Sequence, residues 1–175
     1  RRYGERLTKE IESSAFRGGF GEAASALSLD GSVRLIALGF GTDAKTTEKL
    51  RRWGAFAIKE ARKAKAKRIS ILVPYEGSAE EACAAVAEGI LLGDYRFLDY
   101  KKEAFEKHLE GRVDTVTLLI ADSHNRKVQS GERGVKRAIV MCDATSYARD
   151  LVNECASRMT PRMLVNAANA IAEAE

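Results

Sequence analysis

Apolar residues recur along the chain at two different spacings. Short, nearly unbroken runs at Val33-Arg34-Leu35-Ile36-Ala37-Leu38-Gly39, Ile69-Ser70-Ile71-Leu72-Val73-Pro74 and Thr115 to Ala121 read as strands of a sheet covered on both faces. Between them the period changes to that of a helix. Leu50, Trp53, Ala57 and Ala61 form one stripe, with Arg51, Arg52, Lys59, Arg62 and Lys63 mostly off it, so this helix packs on the sheet and turns a basic face to water. Cys83, Val86, Ala87, Ile90 and Leu91 mark a helix running toward Tyr95. Val140, Ala144, Tyr147 and Leu151 mark another, from about Glu132 to Val152, and place Tyr147 in its packed face. Arg2 to Ser13 and Lys102 to Leu109 read as shorter helices, and Asp122 to Gly131 as a loop.

Punctuation residues set the ends. A strand over Ala23 to Leu29 stops at Asp30-Gly31, a turn dipeptide. Thr42 or Asp43 can cap the helix after the first long strand. Pro74 ends the second strand, and Ser78-Ala79-Glu80-Glu81 has the form of a capping box. Thr160 suits an N-cap and Pro161 the first helical position, whose N–H has no partner in any case. A further helix therefore starts there, with Met163, Leu164, Ala167, Ala168 and Ile171 as its apolar stripe. Strands alternating with helices predict an α/β domain of three layers with at least part of the sheet parallel. The chain shows no internal repeat and no low-complexity tract.

Composition narrows the class. A chain of 175 residues with 45% hydrophobic and 31% charged content is that of a globular domain with its own core, and its longest apolar runs are far too short to span a bilayer. No signal-peptide pattern opens it. It begins on Arg1 rather than Met, with helical pattern almost at once, as a cut sequence would. Three widely spaced cysteines, Cys83, Cys142 and Cys155, with no Cys-x-x-Cys pairing argue against disulfides or a zinc knuckle and for a cytoplasmic setting. Cys83 and Cys142 fall among apolar helix positions and read as small buried hydrophobes. The net charge of +4 favours contact with nucleic acid without demonstrating it.

Catalytic constellations do not emerge. His108 sits on a short charged helix and His124 in the loop Asp122-Ser123-His124-Asn125, neither with the partners of a metal ligand or general base, so both read as solvated histidines. There is no nucleophile elbow and no Walker-type phosphate loop. Gly39-Phe40-Gly41-Thr42 lies where backbone amides could cradle a phosphate, yet it lacks the third glycine of the dinucleotide fingerprint, and Asp43 would repel an anion. A plain strand-to-helix turn explains it better. Arg62-Lys63-Ala64-Lys65-Ala66-Lys67-Arg68 is the one dense basic run, placed where cations complement a helix C-terminus. A phosphate-backbone contact is the rival reading and would want stacking aromatics nearby. Trp53 and Phe56 are near in sequence, but Trp53 belongs to the apolar stripe.

Three segments carry a family resemblance: Val33 to Gly39 with Gly41, Val86-Ala87-Glu88-Gly89-Ile90-Leu91-Leu92-Gly93-Asp94-Tyr95-Arg96-Phe97 with Tyr100-Lys101, and Ala148-Arg149-Asp150-Leu151-Val152-Asn153-Glu154 leading to Thr160-Pro161. In the second, Gly89 and Gly93 lie four apart and leave a smooth helix face for close packing, while Tyr95 and Phe97 anchor the exit. Together they resemble the leucine (cytosol) aminopeptidase family, in which the third segment marks the passage from the N-terminal to the catalytic domain. Cys155 and Ser157 depart from the proline and asparagine usual there. The resemblance implies a macro-domain-like three-layer sandwich with a mixed, largely parallel sheet flanked by helices. It implies residues 1–152 as a noncatalytic N-terminal domain and 153–175 as linker and start of a truncated catalytic domain.

The family's enzymes remove N-terminal residues from peptides with two divalent metal ions, zinc or manganese, held by the C-terminal domain. No catalytic, cofactor-binding or metal-ligating residue is therefore expected in this chain. The partners implied are the catalytic domain, a hexamer and, for some bacterial members, DNA. A DNA-binding or ADP-ribose-like-ligand-binding module is the alternative.

Overall fold

In the computed structural model the described residues are 2–28, 31–42, 46–121 and 125–174. Helix α1 (Arg2–Ser13) packs against a hairpin of β1 (Ala23–Leu27) and β2 (Arg34–Leu38), paired antiparallel from Ala23 opposite Leu38 to Leu27 opposite Arg34. The first strand ends at Leu27, where Ser28 closes it, and Leu29 of the expected strand lies outside the described residues. Buried, Ser28 gives its N–H to Val33 O at 2.7 Å while its Oγ accepts the Val33 N–H at 2.9 Å. Gly31, at φ +71°, fits the left-handed turn that follows. The second expected strand is half-buried rather than enclosed.

Helix α2 (Thr47–Lys63) is capped by Thr46, whose side chain accepts the Lys49 N–H. The cap is therefore not Thr42, and Asp43 lies outside the described residues. Leu50, Trp53, Ala57 and Ala61 are buried as their spacing predicts. Strand β3 (Arg68–Leu72) pairs in parallel with β4 (Thr115–Leu119), and between them the chain forms α3 (Ala79–Asp94) and α4 (Lys102–Glu110). This is the crossover a parallel pair demands. The described strands form two separate two-stranded sheets, one antiparallel and one parallel, rather than a single mixed, largely parallel sheet.

α3 organises the whole. The Ser78 hydroxyl caps it by accepting the Glu81 N–H, and Ala82 to Ala87, Gly89 and Ile90 are all buried, so the helix is enclosed on more than one face. It lies between α2 and the long helix α5 (Asn125–Asn153). Ile71, Val73, Ile69, Leu118 and Leu38 of the strands complete its core. Glycines bring the backbones together. A Cβ on Gly89 would stand 1.9 Å from Arg51 O, one on Gly54 2.4 Å from Val86 O, and one on Gly134 of α5 2.1 Å from Glu80 O. Gly93 meets Ala55 of α2, so the four-residue glycine spacing works as expected.

α5 corrects two expectations. It begins at Asn125, so most of the segment read as a loop is helix. Its packed face is Gly131, Gly134, Ala138 and Cys142, not the stripe of Val140, Ala144, Tyr147 and Leu151. Val140 is 69% and Tyr147 38% exposed, Ala144 is exposed and Leu151 half-buried. The physical reason is distance: where backbones nearly touch, the small residues face inward and the large ones cannot. Beyond α5, α6 (Pro161–Ala174) opens at Pro161 with Thr160 Oγ1 accepting the Met163 N–H.

Candidate functional site

Two of the three resemblance-bearing segments, the one ending α3 and the one ending α5, meet at the exit of α3. Gly93 seats the end of α3 against α2, where Arg62 pairs with Asp94. The chain then turns through Tyr95, whose hydroxyl donates to Asp150 Oδ1 at 2.8 Å and accepts from Asn153 Nδ2 at 3.1 Å. The Arg149 guanidinium lies 5.3 Å from the centre of the same ring. One tyrosine thus engages three polar residues of α5's last turns. A second contact follows it. Phe97 packs at a tilt on Tyr100, ring centres 5.9 Å apart, and the Tyr100 hydroxyl donates to Glu154 Oε1, which also accepts the Cys155 N–H at 2.9 Å. Arg158 stands 5.2 Å over the Tyr100 ring.

These contacts shift the groups that make them. Burial, then hydrogen bonding to Asp150, raises the Tyr95 phenol. Hydrogen bonding to Glu154 raises that of Tyr100. Glu154 is held below its usual range by the Tyr100 hydroxyl and the Cys155 amide. Each shift favours the protonation state that keeps the bond. The carboxylates here are engaged with phenols and amides, so the arrangement is mechanical: a double clasp that fixes how the chain leaves α5. Residues 154–160 then form a compact turn, with Arg158 N and Met159 N both donating to Cys155 O.

Elsewhere the anticipated sites resolve into structure. Gly39 N donates to Glu22 O and Gly41 N to Gly18 O, both at 2.8 Å, so the amides offered for a phosphate are already engaged. A Cβ on Gly39 would stand 1.9 Å from Gly19 O, which accounts for the glycine. His108 is not a solvated histidine. Its Nδ1 lies 2.8 Å from Arg62 Nη2, which can only donate, so Nδ1 accepts, and burial, reinforced by Arg62, lowers its pKa. His124 lies outside the described residues. Cys83 and Cys142 are buried free thiols with pKa values raised by burial, whereas Cys155 is exposed. Trp53 is core, edge-on to Phe40, and Phe56 is half-buried beside it in sequence. Among the described residues no group of three or more His, Cys, Asp or Glu is placed to hold a metal ion, and no helix is long and apolar enough to cross a membrane.

Sequence reasoning flagged the three segments but not that the second and third touch. The signal was there in the polar groups Tyr95, Tyr100, Asp150, Asn153 and Glu154 of the two motifs.

Helices and two small sheets built round a central α3, with a tyrosine clasp on the outgoing chain, define a mixed α/β domain joined to a further helix. Residues 1–104 match the family model described as the cytosol aminopeptidase family, N-terminal domain, and the chain belongs to that family. It is 33% identical over 144 residues to a probable cytosol aminopeptidase of Roseiflexus castenholzii, covering 81% of this chain and 29% of that protein. Over 167 residues it is 30% identical to the probable cytosol aminopeptidase of Aquifex aeolicus, covering 94% and 31%. The chain therefore spans about a third of the length of these relatives. The solved structure of the bottromycin maturation enzyme BotP in complex with Mn shares the fold at a TM-score of 0.74 and 24% identity, covering 94% of this chain and 33% of that one.

Proposed function

We propose that the chain is the N-terminal, noncatalytic part of a leucyl aminopeptidase, a metal-dependent hydrolase releasing N-terminal residues from peptides. Residues 1–152 form the domain, and 153–175 are the linker and the first helix of the catalytic domain. The observation that carries this reading is the clasp: Tyr95 and Tyr100 fix the direction of a segment that leads into α6, whose Met163, Leu164, Val165 and Ile171 are each about half exposed and suit a packing partner. The peptide chemistry and the two divalent ions, zinc or manganese, then belong to the rest of the enzyme, as the family resemblance implies. Manganese in BotP supports a divalent ion in the parent.

Assembly into a hexamer and a cytoplasmic location complete the reading; the free cysteines support the latter. A macro-domain-like three-layer arrangement is supported by the parallel pairing of β3 with β4 and by α1 on the hairpin. An ADP-ribose-like ligand is disfavoured by the engaged amides of Gly39 and Gly41. The test is to express the chain alone and fused to its downstream coding sequence and to assay leucyl-p-nitroanilide with manganese or zinc. Turnover only in the longer protein is expected; metal-dependent turnover by the chain alone, free of host peptidase, overturns the proposal.

A further inference from the structure

The basic run after α2 does not form one solvated face. Arg62 turns inward to Asp94 and His108, Lys63 pairs with Glu60, and Lys67 Nζ donates to Glu110 O at 3.1 Å and Leu109 O at 3.4 Å. What remains is a cleft of about 490 Å³ between the ends of α2, α3 and α4, lined by Lys59, Arg62, Lys63, Lys65, Arg96 and Lys107 against the single carboxylate of Glu110. Among the described residues, Lys59, Lys65 and Lys107 make no ion pair.

A second observation points the same way. α2 ends in a Schellman motif: Lys65 N donates to Arg62 O at 2.9 Å and Ala66 N to Ala61 O at 3.1 Å, with Lys65 in the left-handed region at φ +52°. Glycine occupies that position at no steric cost, whereas a residue with a Cβ is strained there. Among the described residues Lys65 is the one non-glycine with positive φ, and its side chain lines the cleft. The helix end thus holds the Lys65 backbone in one conformation at the edge of the cleft.

We propose that this cleft binds a compact polyphosphate anion, the chemistry of a linear di- or triphosphate. Beyond the paired Arg62 and Lys63, four positive side chains, Lys59, Lys65, Arg96 and Lys107, line a concave space, and lysine ammonium groups act as point charges suited to phosphate oxygens of varied orientation. No aromatic side chain lines the cleft, so nothing is there to stack a base, and the recognition is of phosphate alone. Cations that only offset the negative ends of three helices would raise stability without binding anything, and the variants below separate the two roles.

The test is calorimetric titration of the chain with sodium tripolyphosphate at about 50 and about 200 mM salt, with sulfate and a short DNA duplex as comparators. Saturable one-to-one binding that weakens with salt is expected. Lys65→Gly removes the charge while relieving the backbone, so it should bind about fivefold more weakly with an equal or higher melting temperature. Lys59→Gln with Lys107→Gln should weaken binding about tenfold or more. No saturable signal at millimolar tripolyphosphate, equal binding of sulfate, or binding of duplex that tripolyphosphate does not displace would each overturn the proposal. So would unchanged binding in Lys65→Gly, which decides the matter alone if the double variant fails to fold.

Discussion

α3 and α6 are both apolar helices rich in alanine, and they end in opposite environments. Ala79–Asp94 is enclosed by α2, α5 and the strands, with Val86 at 0% exposure, while in Pro161–Ala174 Leu164 is 52% and Val165 58% exposed. Apolar content therefore does not decide burial. What distinguishes α3 is that its neighbours can reach its backbone: Gly89 and Gly93 on its own surface, Gly54 and Gly134 on the helices beside it. Its charged residues are met as well. Glu88 pairs with Arg51, Asp94 with Arg62, and Glu80 with Arg133 and Arg137. α6 has the stripe without the neighbours.

The strongest way to break this contrast is at Gly89. Gly89→Val forces branched carbons into Arg51 O, where even a Cβ would be 1.9 Å away, and should cost about 4 kcal/mol or more, enough to unfold a marginal domain. Gly111→Ala, whose Cβ would find its nearest atom at 3.8 Å, should be nearly neutral in the same denaturation series. If both variants melt alike, backbone approach is not what holds α3.

Next in size is the face of α5. Ala138 is fully buried, so Ala138→Asp should cost about 3 kcal/mol by burying an unpaired carboxylate. Val140→Asp, two residues on, should change stability by about 0.5 kcal/mol or less, as for other exposed positions. The reverse order would restore the stripe read from apolar spacing and sink the packed face described for α5.

The α6 side of the comparison is sharpened by hydrogen exchange. Amides from Leu164 to Ala172 should exchange about a hundredfold or more faster than those of Ile69 to Val73, since an isolated helix of this length is marginal. Equal protection in a proven monomer would make α6 part of this domain's core. Within the same experiment, Tyr95→Phe should accelerate exchange across residues 150–158 and leave the strands unchanged; uniform behaviour would remove Tyr95 from the clasp.

The smallest effect is on pH. Glu154 has a lowered pKa in the fold, so its contribution is present above the ordinary carboxylate range and is lost as pH falls through the lowered value. The Tyr95 and Tyr100 phenols are raised, so theirs is present below about 10 and lost as pH rises through the raised values. NMR titration of the Cys155 amide should show an acid midpoint below that of an exposed glutamate. A midpoint at the ordinary value would mean that Glu154 is not held by Tyr100.

Much of this was legible in order of residues alone. The period of apolar positions placed α2 and α3, because burial leaves a periodic trace that local spacing records, and nearly unbroken apolar runs placed β3 and β4, although β4 proves mostly exposed rather than covered on both faces. Ser78, Thr160 and Pro161 announced helix starts, because a cap is a contact between residues three apart. The glycine pair of α3 and the Asp150–Asn153 segment stood out as motifs, and with them the family.

What the tertiary structure decided are the contacts between distant residues. Which face of α5 is packed was settled by how near α3 comes, a quantity with no local signature, so small residues went inside where the larger apolar stripe was expected. The His108 ring facing Arg62, the glycine amides turned to backbone carbonyls, and the tyrosines closing on residues more than fifty positions away all depend on groups that only folding brings within hydrogen-bonding reach. Hydrophobic transfer is non-directional and can be read as a pattern, whereas hydrogen bonds and close packing are fixed by ångström distances.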